Sequence, residues 1–303
     1  MQKYRIMTFD GGGIRGVLTA MLLKRLNNEF PEFINMTQLF AGTSTGSLIA
    51  LGLAYGLSPQ QLVELYTRNG KYIFTPSYLE LHRPKYSNEH LKKVLSSIFP
   101  QNLRLSDLSY NVLVPTFRVT GSHSEPCWSP VFYSNLPGST NMDALVIDVA
   151  LASNAAPIYF PSYKDHIDGG VIANNPSTAA IAAARGEQGH IESLDDIYLL
   201  SIGTGKCTHE ITADTTKWGA LQWAFYPDPP FPLLNILFDG AIEADEYYSF
   251  QLLREQYYRL NPEIPKIFGP VPLDAYSRIP DLIFLAKDYN LETIINWIKD
   301  NWF

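Results

Sequence analysis

From Phe33 to Val63 the chain carries no Asp, Glu, Lys or Arg, and Glu32 and Glu64 bracket the stretch. A run that long without charge has to be taken out of water, into a core or a bilayer. A bilayer span needs about 20 predominantly apolar residues in a row. The middle of this run is Ala41-Gly42-Thr43-Ser44-Thr45-Gly46-Ser47, too polar and too glycine-rich for that. The remaining solution is a buried strand, a tight turn and a buried helix, an arrangement that only a sheet with helices packed on it can shelter.

The same alternation runs along the chain. Tyr4 to Phe9 reads as a strand, Gly11 to Gly16 as a loop, and Val17 to Glu29 as a helix with Leu18, Met21, Leu22 and Leu26 on one stripe. Thr37 to Ala41 is the strand before the turn, and LIALGLAYG the helix after it. Ser58-Pro59-Gln60-Gln61 is a helix start, with a capping Ser, Pro in the first turn and Gln three residues after the cap. Asn88 opens another helix, with Leu91, Val94, Leu95 and Ile98 on one face. Asn111 to Thr120 and Pro130 to Ser134 read as strands, Met142 to Ala155 as a helix, and Tyr163 to Ile167 as a short strand before Asp168-Gly169-Gly170. Asn175-Pro176 caps a small-residue helix, and Asp196 to Ile202 is a strand ending at Gly203-Thr204-Gly205. Strands alternating with helices predict an α/β fold with a mostly parallel sheet covered on both faces.

Beyond the Pro-dense break at 227–232 the patterns are helical and aromatic-rich. The last places Leu291, Ile294, Ile295, Ile298 and Trp302 on one stripe, a helix packing back on the core. The expectation is one domain over 1–303, with the motif-bearing core at about 4–205 and the helical part at about 218–303.

Composition sets outer bounds. The chain has 303 residues, 46% hydrophobic and 17% charged, which suits a globular protein with a sizeable core. A net charge of −7 argues against nucleic acid as a partner and leaves membrane contact open, since a local patch can outweigh the sum. Cys127 and Cys207 are too few for a disulfide framework and read as thiols of a reducing compartment. The N-terminus lacks the apolar run of a signal peptide. The expected location is the cytoplasm, with peripheral membrane contact at most.

Three motifs carry chemistry. Gly42-Thr43-Ser44-Thr45-Gly46 matches G-x-S-x-G, a serine on a sharp strand-to-helix turn where small neighbours let strand and helix cross closely. The helix that follows aims its N-terminal dipole at the site. Gly11-Gly12-Gly13-Ile14-Arg15-Gly16 admits a dinucleotide-binding loop, a plain tight turn, or a concave cluster of N–H donors for an oxyanion. Asp168-Gly169-Gly170 alone is a common turn, but a serine nucleophile needs a base. Among His82, His90, His123, His166, His190 and His209 none has the context of a triad member, and only His166, two residues from Asp168, is placed to contribute. Asp168 as direct base is the simpler choice.

Together DGGGIRG at 10–16, GTSTG at 42–46 and DGG at 168–170 resemble the patatin-like phospholipases, lipid acyl hydrolases with a Ser–Asp dyad. DGGVIANNP at 168–176 and SIGTG at 201–205 extend the resemblance, which covers roughly residues 4 to 205. It implies a three-layer α/β/α sandwich with a mostly parallel central sheet. It implies Ser44 as nucleophile, Asp168 as base, the N–H groups of Gly11, Gly12 and Gly13 as oxyanion donors, and Arg15 as support for the loop or a contact for phosphate. The implied substrate is a phospholipid or other glycerolipid, cleaved by a phospholipase A-type reaction through an acyl-enzyme, with no metal and no cofactor. An acyltransferase on the same site and a non-catalytic lipid-binding or regulatory protein are the alternatives. A dinucleotide enzyme would leave GTSTG and DGG unexplained. Oligomeric state and head-group preference are not legible.

Overall fold

A computed structural model describes residues 3–76, 83–121, 127–186, 191–206, 210–269 and 271–303. The chain opens with β1 (Tyr4–Phe9), α1 (Gly16–Glu29), β2 (Leu39–Gly42) and α2 (Thr45–Tyr55), followed by α3 (Pro59–Ile73) and α4 (Asn88–Ile98). Next come β3 (Asn111–Arg118), β4 (Ser129–Ser134), α5 (Val146–Ser153), β5 (His166–Asp168), α6 (Gly170–Ala173), α7 (Ser177–Arg185) and β6 (Ile197–Ile202). The remainder is α8 (Ala220–Phe225), α9 (Pro232–Leu253), β7 (Tyr257–Leu260), α10 (Ile279–Asp288) and α11 (Glu292–Asn301).

The strands form one mixed sheet in the order β4-β3-β2-β1-β6-β7. β1, β2, β3, β6 and β7 run parallel, and β4 is antiparallel along one edge of β3. The register alternates with period two, and that alternation makes the layers. Met7, Phe9, Phe40, Val112, Val114, Leu200 and Ile202 point to one core, shared with α1–α5, α10 and α11. Ile6, Leu39, Ala41, Leu113, Ile197 and Leu199 point to the other, against Ala180, Ile181 and Ala184 of α7 and Leu253 of α9. The result is a three-layer α/β/α sandwich. Leu18, Leu22, Leu23 and Leu26 of α1 are fully buried, each side chain contributing roughly 1.5–3 kcal/mol by its removal from water.

The edge of β3 opposite β4 is shared by two strands. β2 pairs with Asn111 to Leu113 and runs parallel to β3. β5 pairs with Thr116 to Arg118 and runs antiparallel, with Asp168 opposite Thr116. The carboxyl-terminal ends of β2 and β5 therefore approach each other head-on, and the fold brings Gly42-Thr43-Ser44 up to Asp168.

Two boundaries differ from the sequence expectation. Residues 142–145 form a turn and a single bridge to Arg104, not helix, because Ser106 N–H donates to Met142 O (2.9 Å), Leu105 N–H to Ala144 O (3.0 Å) and Val146 N–H to Leu103 O (2.9 Å). Tertiary hydrogen bonds win over local propensity there. The strand expected at 163–167 begins only at His166. Lys164 (φ 46°) and Asp165 (φ 62°) form a tight turn closed by reciprocal hydrogen bonds of 2.9 Å between Tyr163 and His166. The stripe on the last helix packs on the core, with Ile294, Ile298 and Trp302 at most 1% exposed. Trp302 donates its indole N–H to Phe33 O at 2.9 Å. Among the described residues no helix is long and apolar enough to cross a membrane.

Candidate active site

Ser44 sits between the end of β2 and the start of α2 at φ 52°, ψ −123°, outside the regions that L-residues populate. Such a conformation costs on the order of 1–3 kcal/mol and persists only where the surroundings over-determine it. They do. Ser44 N–H donates to Ser153 Oγ (2.9 Å), whose own hydroxyl donates to Pro115 O (2.8 Å). Ser44 O accepts from Asn154 Nδ2 (2.9 Å) and from the Ser47 hydroxyl (2.6 Å). Thr43 Oγ1 donates to Ala173 O (2.6 Å). A Cβ added at Gly46 would stand 2.1 Å from Phe9 O, so β1 and α2 meet backbone to backbone and only glycine fits. Ser44 itself is 9% exposed, facing a cleft.

Asp168 is buried at the tip of β5. Its carboxylate accepts the Gly170 N–H at 2.7 Å and shares the cleft with Ser44. Burial pushes its pKa from 3.8 up to about 7, against the opposing pull of the neighbouring Ser44 hydroxyl and the Gly170 N–H.

The glycine loop lies across the cleft from this pair. Gly11 N–H donates to Asn174 O (2.9 Å), Ile14 N–H to Leu273 O (2.7 Å) and Arg15 N–H to Gly12 O (3.1 Å). Gly13 adopts φ 57°. The N–H groups left over, with no hydrogen bond to protein among the described residues, are those of Gly12 and Gly13. Arg15 is buried and donates from Nε to Gly12 O at 3.4 Å, backing the loop. Beneath it Asp10 receives Arg259 in a bidentate contact, Nη1 on Oδ1 at 2.9 Å and Nη2 on Oδ2. Arg259 also donates to Ser201 Oγ (2.8 Å) and Glu246 Oε2 (3.3 Å).

Two concavities meet at Ser44, with Tyr159 and Leu273 as their shared walls. One, of about 730 Å³ including its open mouth, holds Asp168, Arg15, Asn174, Asp228, Asn235 and Asp239. The other, of about 550 Å³ likewise including its open mouth, runs past Leu48, Leu65, Phe74, Leu91 and Phe160.

A profile of the family described as "Patatin-like phospholipase" matches residues 7–181. "Protein teg" of Priestia megaterium is 35% identical over 332 residues, covering 100% of both chains. The chain belongs to the patatin-like phospholipase family. "Putative sporulation hydrolase CotR" of Bacillus subtilis is 34% identical, over 100% of this chain and 99% of its own. A potato relative, 28% identical over 93% of this chain and 84% of its own, is named "Probable inactive patatin-3-Kuras 1". Membership in the patatin-like family thus leaves activity to be argued from the residues.

Of the residues singled out in the sequence, the structure gathers Ser44, Asp168, Gly12, Gly13 and Arg15 around the two concavities that meet at Ser44; Gly11 does not serve as the oxyanion donor expected of it, because its N–H is committed to Asn174 O and anchors the loop instead. His166 lies elsewhere, with Nδ1 against Lys164 O (2.6 Å) and Nε2 3.4 Å from Tyr133 Oη, and His90 stacks on Tyr72. His82, His123, His190, His209 and Cys207 lie outside the described residues, and Cys127 is an exposed free thiol. Among the described residues no group of three or more His, Cys, Asp or Glu is arranged to hold a metal ion. Sequence reasoning missed Ser153, Asn154 and Arg259. Polar Ser-Asn inside the small apolar run ALASNAAP was a signal for the first two, because a buried polar pair needs partners. Nothing local marked Arg259.

Proposed function

We propose that the protein is a lipid acyl hydrolase of phospholipase A type in which Ser44 is the nucleophile and Asp168 the base. The observation that carries this reading is the meeting of Ser44 with the buried carboxylate of Asp168 in one cleft, where the ends of β2 and β5 abut, together with the rise of that carboxyl's pKa to about 7. A carboxylate of ordinary pKa is too weak a base for a serine hydroxyl, and raising it toward the working pH brings it into the effective range.

In the first half-reaction Asp168 takes the hydroxyl proton as Ser44 Oγ bonds to the ester carbonyl carbon. The carbonyl oxygen gains the negative charge, which the unpartnered N–H groups of Gly12 and Gly13 and the dipole of α2 stabilise. Collapse breaks the bond to the alcohol oxygen, which takes the proton from Asp168 and leaves. Water then enters, gives a proton to Asp168 and attacks the acyl-enzyme. The carboxylic acid departs and Ser44 recovers its proton. Every proton passes through Asp168. The glycine loop shares the cleft with Ser44, which favours oxyanion binding over the dinucleotide reading.

The mouth of the cleft supports peripheral contact with a lipid surface. Leu221 and Phe225 on α8 and Leu233, Ile236 and Leu237 on α9 are exposed, and the same turns of α9 supply Asn235, Phe238 and Asp239 to the cleft. Co-sedimentation with phosphatidylcholine vesicles is expected for wild type and not for the double variant Leu233→Asp, Ile236→Asp.

The deciding experiment is hydrolysis of a phospholipid and of a simple acyl ester by wild type and by Ser44→Ala, both checked for folding. Turnover by wild type that falls about 10³-fold or more in the variant supports the reading. Equal turnover by both would sink it.

A further inference from the structure

The two concavities that meet at Ser44 differ in one respect that bears on orientation: Asp168 lines one and not the other. We infer that the apolar concavity between α3 and α4 holds the acyl chain, that the compartment lined by Asp168 holds the departing alcohol, and that Leu65 and Leu91 set the acceptable chain length. This inference rests on Ser44 and Asp168 acting as proposed above.

Proton transfer sets the orientation of the ester. The group that protonates the leaving alkoxide must be within hydrogen-bond reach of its oxygen. The alcohol therefore departs on the side of Asp168, where Asn174, Asp228, Asn235 and Asp239 offer polar contacts. At the tetrahedral carbon, one substituent is Ser44 Oγ, one is the oxyanion facing Gly12 and Gly13, and one is the alcohol oxygen. The fourth, the first methylene of the acyl chain, is left with the remaining direction, into the second concavity. Water for deacylation also needs Asp168 and so enters from the polar side, while the acyl chain stays where it is.

The lining agrees with that assignment. Leu48 lies one turn along α2 from Ser44, and Leu65, Phe74, Leu91 and Phe160 continue the wall; all five are buried. Two of its polar side chains are engaged away from the cavity: Tyr66 Oη bonds Thr45 Oγ1 at 2.8 Å, and Asn154 Nδ2 is held by Ser44 O; Tyr159 stands on the wall shared with the polar compartment. Predominantly apolar walls select for methylenes. Each methylene buried contributes about 0.8 kcal/mol, or roughly fourfold in kcat/KM.

The test uses acyl esters of one alcohol, butyryl to palmitoyl, with wild type, Leu91→Ala, Leu91→Phe and Leu65→Phe. In wild type kcat/KM is expected to climb about fourfold per methylene and then level. Phe at either position moves the levelling to shorter chains, and Leu91→Ala moves it to longer ones. As a measurement that needs no variant, wild type is treated with a long-chain alkyl fluorophosphonate and its structure determined, with the alkyl group expected beside Leu65 and Phe160. An alkyl group lying beside Phe238 and Pro230, or one chain-length profile shared by all the folded variants, overturns the assignment while leaving the nucleophile intact. Failure of the nucleophile reading is recognised separately, by fluorophosphonate that does not label Ser44 or by Ser44→Ala that still turns over.

Discussion

At the scale of single residues, Asp168 spends stability to hold its pKa. Its carboxyl titrates at about 7 when folded and at 3.8 in its unperturbed state. Below about pH 4 it is protonated in both states. Between about 4 and 7 the unfolded chain ionises first, so the folded state loses stability as pH rises through that window, and the full penalty stands above pH 7. A shift of that size corresponds to roughly 4 kcal/mol at most. Asp168→Asn, uncharged and of the same shape, is therefore expected to lower kcat by about 10³-fold or more while raising stability by on the order of 1 kcal/mol or more at pH 8. The gain should vanish at pH 4, and urea unfolding at both pH values reads it. Because the base form is needed, kcat/KM of wild type should rise through an inflection near pH 7 and then hold level; a flat profile from pH 5 to 9 would count against Asp168 as base. Ser44 and Asp168 were readable in the sequence because G-x-S-x-G and DGG are local patterns with their own backbone demands. Arg259 was not, because its partner Asp10 lies far away in the chain.

At the scale of elements, local signals did well where the element satisfies itself and badly where a neighbour satisfies it. β1 runs from Tyr4 to Phe9 as read, and the Ser58–Gln61 capping box forms with Ser58 N–H on Gln61 Oε1 at 2.9 Å. Residues 142–145 and the turn at Lys164-Asp165 escaped, since their geometry is dictated by hydrogen bonds to distant or positive-φ backbone. β7, four residues long, was hidden among helical patterns. α5 matters for what its end presents, Ser153 and Asn154, which grip both sides of the Ser44 peptide. Ser153→Ala leaves the buried Ser44 N–H without its acceptor and is expected to cost about 1–3 kcal/mol. It should lower kcat with little change in KM, since the strained turn is loosened and the cleft walls are not. Steady-state kinetics beside a thermal melt checks the split.

At the scale of the whole molecule, the alternation of strands and helices was enough to predict a covered, mostly parallel sheet. Strand order and the reversed β5 were not legible, because they depend on which edge of β3 is left free once β2 stops. The C-terminal third is welded to the N-terminal strand: Arg5 donates to Trp302 O and Lys3 to Phe303 O. We therefore expect one cooperative urea transition, coincident by tryptophan fluorescence and far-UV circular dichroism; two separated transitions would argue for two units. Arg259→Met, which strands Asp10 as a buried unpaired charge, should cost about 3–5 kcal/mol, and Asp10→Asn in the same chain should recover part of it.

The Asp10–Arg259 pair spans 249 positions, and that has a consequence for biosynthesis. A ribosome that has delivered Ser44 and Asp168 has not yet delivered the guanidinium that anchors the base of the glycine loop. Nascent chains and premature-stop fragments ending before β7 are expected to carry Ser44 and Asp168 without a fixed oxyanion cradle, so that ester hydrolysis switches on only once β7 has been made.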